Sequence, residues 1–209
     1  MQRIFTKFLL LATIFISWQA ANAQEGRYTS QIFDEVEVSS LTTLQTNFTV
    51  MPWVQGLLLG MPGGGSTRQP LRAQFYSPKG DTETNRPLIM YLHTGNFIPY
   101  AFNGSCGGTV GDSSNVEFAT RLAKMGYVVA VVEYRQGWLP TIEQELLKRY
   151  TLINAAYRGV QDVNTYVRYF KKSVAELGNP HKIDAEKIVV WGQGTGGYLS
   201  LAAAYLNQY

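Results

Sequence analysis

Short, nearly continuous runs of apolar residues recur along the chain from residue 87 onward. They occupy residues 87–92, 127–134 and 188–191, and each is bounded by glycine, proline or polar residues. Runs of this length, rich in Val, Ile, Leu and Tyr, are typical of strands that are buried on both faces of a parallel sheet. The pattern predicts at least three such strands.

Between these runs, apolar residues recur every three or four positions, which indicates amphipathic helices. One helix is predicted at 116–125, where Ser114 and Glu117 have the spacing of a capping box. The pattern at 146–170 predicts one long helix or two helices in line, and a last helix opens at Gly197. Because strands alternate with helices, we expect an α/β fold with a mostly parallel sheet covered by helices on both faces.

The segment before this pattern is less regular. Alternating apolar and polar residues at 28–54 predict one or two strands, and 71–76 predicts another short strand. The glycine-rich stretch 61–67 has the composition of a loop.

The first residues have the organisation of an export signal. Arg3 and Lys7 precede an apolar run at 8–18, and the small residues of Ala21-Asn22-Ala23 form a cleavage site. The sequence therefore predicts a signal peptide at 1–23, one domain at 24–209 and an exported protein, whether periplasmic, cell-surface or secreted. Since the apolar run is too short to cross a bilayer, no stable membrane anchor is expected after cleavage.

Charge and cysteine content narrow the function. The chain has 18 Lys and Arg against 15 Asp and Glu, and removal of the signal leaves 16 against 15. The basic residues are scattered, which argues against a nucleic-acid partner. Cys106 is the single cysteine, so it is either a free thiol or half of a bridge to another segment. Two distant histidines give no metal-ligand spacing, and neither a metal nor a cofactor is expected.

The residues 187–198 predict a buried strand, a sharp glycine turn and the start of a helix. This is the context of the G-x-S-x-G nucleophile elbow, in which a serine stands at the turn. Gly192 and Gly196 match the small residues of that motif, whereas Gly194 stands at the serine position.

A second motif, His93-Thr94-Gly95-Asn96-Phe97, follows a predicted buried strand. A glycine loop in this position supplies backbone N–H groups to the carbonyl oxygen that becomes negative during acyl transfer.

The order of these features resembles the secreted carboxylesterase and lipase branch of the α/β-hydrolase superfamily, over roughly residues 71–209. The resemblance implies an α/β-hydrolase fold and a small-molecule or polymeric ester as ligand. In that family the catalytic acid and histidine follow the elbow, so the C-terminal third of the domain is expected to be missing from this sequence. Nothing in the sequence indicates an oligomeric state.

The resemblance also assigns roles to individual residues. Gly95 and Asn96 would donate two hydrogen bonds to the oxyanion, although the family usually has glycine in place of Asn96, and Thr195 would donate a third through its backbone N–H. His93 would support the loop. Gly194 would be the vacant nucleophile position, so the chain is expected to lack serine-hydrolase activity.

Other interpretations remain open. Gly192, Gly194 and Gly197 also satisfy the dinucleotide fingerprint, but no acidic residue follows in the remaining sequence. Thr195 as nucleophile would place Gln193 where a small residue is needed. A non-catalytic protein that binds a ligand or partner is a third possibility. His181 is expected to be a solvated loop residue.

Overall fold

The computed structural model describes residues 26–51, 65–99, 103 and 107–206. The predicted signal peptide at 1–23 and Cys106 lie outside the described residues. In chain order the elements are β1 (Val36–Val38), β2 (Thr42–Met51), β3 (Gly65–Pro78), β4 (Arg86–Leu92), α1 (Ser113–Lys124), β5 (Val128–Val132), α2 (Glu145–Glu176), β6 (Ile183–Gly192) and α3 (Thr195–Tyr205).

The strands form one mixed sheet with the order β1-β3-β5-β4-β6, and β2 pairs with β3. Strand β4 is parallel to β5 and to β6. Strand β3 is antiparallel to β1, β2 and β5. All the described strands except β3 therefore point the same way, which confirms the prediction of a mostly parallel sheet.

Successive side chains of the central strands enter two separate hydrophobic cores, one on each face of the sheet. Met90 of β4 packs in the core that contains Tyr166 of α2 and Leu199 of α3. Its neighbour Tyr91 packs in the other core, with Ala119 of α1. Helices thus cover both faces, as the alternation of strands and helices predicted.

Several boundaries differ from those expected. The predicted short strand at 71–76 is part of a 14-residue strand, because β3 pairs with β2 along one half and with β5 along the other. Helix α1 begins with Asp112, not Ser114, at its N-cap. The Asp112 carboxylate accepts hydrogen bonds from the amides of Gly108 and Thr109, so the preceding loop determines where the helix starts.

Helix α2 is a single helix of 32 residues, and a buried ion pair holds it against the sheet. Arg135, just after β5, lies 2.8 Å from Asp162 of α2, with side chains 4% and 0% exposed. The Arg135 amide also donates to Asp162, and Asn47 of β2 donates to the same carboxylate at 2.6 Å. These bonds satisfy a charge that would otherwise be costly to bury.

In the described part of the chain, β6 pairs only with β4. Two of its apolar side chains, Val189 and Trp191, are 50% and 40% exposed. None of the described helices is long and apolar enough to cross a membrane.

Candidate functional site

The predicted strand, glycine turn and helix are present at the end of β6, but the expectation that the strand is buried is wrong, because residues 188–192 alternate between partly buried and exposed. Strand β6 ends at Gly192, and α3 begins at Thr195, two residues before the predicted start. Gly194 between them has φ 58° and ψ −121°, a backbone conformation that residues with a side chain adopt only under strain. The chain thus turns from strand to helix within two residues.

Close backbone contacts explain the glycines on either side of this turn. A Cβ on Gly192 would lie 2.7 Å from the carbonyl oxygen of Leu92. A Cβ on Gly196 would lie 2.6 Å from the Leu92 carbonyl carbon and 2.8 Å from the His93 oxygen. Because these are backbone atoms, neither position has room for a side chain, and the end of β4 lies directly against the turn.

The loop that follows β4 has three successive residues with positive φ. The values are 133° at Gly95, 55° at Asn96 and 60° at Phe97. The conformation is held because the Phe97 carbonyl accepts hydrogen bonds from the amides of Gly137 and Trp138, at 2.8 and 2.9 Å. Backbone strain of this kind persists only where the surroundings impose it, and it is common at binding and catalytic sites.

Tyr134 connects this loop to the glycine turn. Its hydroxyl group lies 2.9 Å from the His93 carbonyl oxygen and 3.0 Å from Thr195 Oγ1. Burial raises the pKa of Tyr134 to about 12, so the hydroxyl group keeps its proton and donates to the His93 carbonyl while it accepts from Thr195.

His93 lies beneath the loop, 2% exposed, with its ring stacked on Tyr134 at a centroid distance of 4.5 Å. Burial lowers the pKa of His93 below its usual value of 6.5, so the imidazole is neutral at pH 7. Its Nδ1 contacts the Thr94 carbonyl oxygen, which can only accept, so the proton is on Nδ1. This position agrees with a supporting role for His93.

Asn96, Gly194 and Thr195 come together at the wall of one pocket. The backbone amides of Asn96 and Thr195 donate to no other residue in the described ranges. Gly95 is buried and is not among the residues that line the pocket, and a Cβ on it would lie 2.9 Å from the Cα of Gly108. The structure therefore places two of the three predicted oxyanion donors at the pocket wall.

The pocket has a volume of about 990 Å³ and is open to solvent on one side. Its walls are mainly apolar and come from α2, α3 and the loops after β4 and β5. Besides the three residues above, it is lined by Phe97, Trp138, Leu152, Ile153, Ala156, Tyr157, Val160, Gln161, Asn164, Tyr198 and Leu206.

Two residues of the site were not identified from the sequence. Tyr134 ends an apolar run, and nothing in that run shows that its hydroxyl group joins two loops. In the sequence, Thr94 is a non-glycine residue inside the glycine loop, and nothing there indicates its place in the site. In the structure its side chain lies beside Gly194, and a Cβ on Gly194 would collide with Thr94 Oγ1 and lie 3.2 Å from Thr94 Cβ.

His181, expected to be solvated, is only partly exposed. Its ring stacks on Phe75 at a centroid distance of 3.7 Å. Burial, together with the charge of Arg86, lowers its pKa below 6.5. His181 lines a separate polar pocket of about 250 Å³ that shares no lining residue with the larger one, so it is not part of this site.

The described residues contain no group of three or more His, Cys, Asp and Glu side chains that could hold a metal ion.

Several solved esterase structures are similar to this chain. Esterase Est22 is 20% identical, with a TM-score of 0.46 over 81% of this chain and 38% of its own. The hyperthermophilic esterase from the archaeon Pyrobaculum calidifontis is 25% identical, with a TM-score of 0.42 over 80% and 40%. A bacterial heroin esterase is 23% identical, with a TM-score of 0.44 over 90% and 44%. The chain thus spans less than half the length of these structures.

A search of curated proteins finds no match. The BD-FAE family model matches residues 73–209, which is about two thirds of the chain and includes both glycine loops and the pocket. This match favours the elbow interpretation of Gly192, Gly194 and Gly196 over a dinucleotide fingerprint. The chain belongs to the BD-FAE family, a carboxylesterase family with the α/β-hydrolase fold.

Proposed function

We propose that this carboxylesterase-family protein binds an ester, or the carboxylate derived from one, without hydrolysing it through a serine nucleophile. The backbone conformation of Gly194 is the main support for this proposal. This residue has the strained turn conformation at the end of β6, yet no side chain is present there to attack a carbonyl group.

The backbone amides of Asn96 and Thr195 supply the polar part of the binding site. Amides aimed at one point attract a partly negative oxygen whether or not a covalent bond then forms. Gly95 supports the loop that carries Asn96, and Tyr134 keeps the two loops together. A ligand carbonyl or carboxylate oxygen accepts from these amides.

The apolar pocket supplies the rest of the affinity. Leu152, Ala156 and Val160 lie on the face of α2 that lines it, and Phe97 and Tyr198, whose rings meet edge to face at 6.1 Å, add aromatic wall. A pocket of this volume with few polar groups suits a ligand with an aromatic or alkyl part. The ligand class is therefore a small-molecule ester, or an esterified side group of a polymer.

Without the nucleophile, any turnover should be weak. Loss of one member of a catalytic triad typically costs several orders of magnitude in rate, while binding and oxyanion stabilisation persist. The export signal predicted at 1–23 places this binding function outside the cytoplasm as a further part of the proposal.

Calorimetric titration with an aryl carboxylate and with a non-hydrolysed aryl ester analogue tests ligand binding. Ala156→Trp fills the pocket and should abolish the binding. Lys171→Trp places the same residue on an exposed position of α2 and should leave the affinity unchanged. Equal affinity in both variants, or no measurable binding by the unmodified protein, would contradict the proposal.

A further inference from the structure

Thr94 and Gly194 are packed against each other across the site. The side chain of Thr94 fills the volume into which any side chain on residue 194 would have to extend. We propose that the two residues form a matched pair, in which Thr94 closes the nucleophile position and presents its hydroxyl group to the ligand there. This inference deepens the proposed function and rests on it.

The contact is too close to be relieved by a small adjustment. A Cβ on Gly194 would collide with Thr94 Oγ1, and it would also lie 3.2 Å from Thr94 Cβ and 3.9 Å from Thr94 Cα. Rotation about the Cα–Cβ bond of Thr94 would move Oγ1 but not Cβ. Because threonine is branched at Cβ, a second heavy atom would also need space after such a rotation.

The backbone of Thr94 is held in place as well. Its carbonyl oxygen is contacted by Nδ1 of the buried His93 and lies 3.4 Å from the Tyr134 hydroxyl group. On the other side, the Gln193 amide donates to the Leu92 carbonyl at 3.3 Å. The loop after β4 and the turn after β6 are therefore held together. Thr94 cannot move away from Gly194 unless the rest of its loop moves as well.

Thr94 changes the chemistry of the site. A nucleophile at residue 194 would project its oxygen toward the ligand carbonyl carbon. With glycine at 194, the Thr94 hydroxyl occupies the space in which a side chain on residue 194 would begin. A hydroxyl group can donate to a ligand oxygen and accept from a ligand hydroxyl, so it adds a reversible contact where the family fold has an attacking atom.

The pair makes a specific prediction about substitution. A single change at residue 194 should be poorly tolerated, whereas the same change should be tolerated when residue 94 is glycine. This coupling is a property of packing, so it can be measured without knowledge of the ligand.

A double-mutant cycle on thermal unfolding tests the pairing. Gly194→Ala adds only the colliding Cβ, and we expect it to lower Tm by about 4 °C or more, as overpacking does in a domain of this size. Adding Thr94→Gly should recover a large part of that loss. Adding Thr94→Val, which keeps the branched shape, should recover none.

Gly178 supplies a control for the backbone conformation. It also has positive φ, 74°, but a Cβ there would meet nothing within 4 Å. Thr94→Gly should therefore not change the effect of Gly178→Ala. If Gly194→Ala lowers Tm equally in the protein with Thr94 and in the Thr94→Gly variant, the proposed pairing is overturned.

The ligand role of the Thr94 hydroxyl is tested on Thr94→Val by the same carboxylate titration. A five-fold or greater loss of affinity, with Tm unchanged, supports the role, and unchanged affinity overturns it. If the unmodified protein binds no ligand while the unfolding cycle shows the expected coupling, the proposed function fails and the packing inference stands.

Discussion

The hydroxyl oxygen of Tyr134 lies 3.0 Å from Thr195 Oγ1 and 2.9 Å from the carbonyl oxygen of His93. One buried side chain at the end of β5 therefore joins the loop after β4 to the first residue of α3. These two segments carry the amides assigned to ligand binding. Their spacing depends on this phenol group.

Removal of that hydroxyl group should loosen the site. We expect Tyr134→Phe to lower the free energy of unfolding by about 1–3 kcal/mol, because buried partners lose their hydrogen bonds. It should also weaken carboxylate binding, because the two amide-bearing loops are no longer tied together. Urea unfolding and titration measure the two effects.

Tyr127→Phe is the matched control, since Tyr127 donates a single hydrogen bond, at 3.2 Å, to the carbonyl of Tyr28. It should leave ligand affinity unchanged. If both variants bind the ligand equally well, Tyr134 does not position the site.

The ion pair between Arg135 and Asp162 should dominate the attachment of α2. Asp162→Asn leaves a buried guanidinium group without its counter-charge, and we expect a loss of about 3 kcal/mol or more in urea unfolding. Glu117→Gln removes one partner of the exposed pair with Arg121 on α1, and its effect should stay below about 1 kcal/mol. Similar effects for the two variants would show that the buried pair does not anchor the helix.

Acidification should destabilise the fold through its two histidines, the buried His93 and the partly buried His181. The pKa values of His93 and His181 are both lowered in the folded protein, whereas in the unfolded chain they lie near 6.5. The unfolded state thus binds protons first as the pH falls. Their contribution to stability is complete above pH 6.5 and is lost progressively below it.

Unfolding free energies measured between pH 7.5 and 5 test this linkage. His181→Gln should reduce the slope and leave the share that belongs to His93, whose neighbours Asp112 and Glu133 partly oppose the shift. A stability that does not change between pH 7 and pH 5 would contradict the lowered pKa values of both imidazoles.

Gly159 permits the close approach of α2 to α3. A Cβ there would lie 2.7 and 2.9 Å from the two methyl carbons of Leu199, which is fully buried. Although alanine favours a helix more than glycine does, we expect Gly159→Ala to cost about 1–2 kcal/mol through overpacking. In a Leu199→Ala background the same change should be neutral or stabilising, and a loss of equal size there would contradict the contact.

The sequence predicted the α/β architecture well because its signals are local. Apolar runs such as 127–134 and helical spacing such as that of 146–170 depend on residues close in the chain. The glycine turn at Gly194 was predictable for the same reason, since its strand, turn and helix are contiguous. The start of α1 was missed because Asp112 is held by the loop before the helix and not by a capping box.

The finer features of the site depend on contacts between distant segments. The contact between Thr94 and Gly194 joins residues 100 positions apart, and Tyr134 reaches residues on either side of it in the sequence. His181 was expected in solvent because it lies in the loop before β6, whereas its ring is partly covered by Phe75 of β3. The spacing of apolar residues within one segment does not indicate such contacts between distant segments.

Above all, we propose that Gly194 leaves the nucleophile position without a reactive group. Incubation of the full-length protein with an aryl fluorophosphonate, followed by intact mass measurement and an aryl-ester hydrolysis assay, tests it most directly. We predict an unmodified mass and hydrolysis that the reagent does not inhibit. One phosphonate adduct per chain, with loss of rapid ester turnover, would contradict the claim.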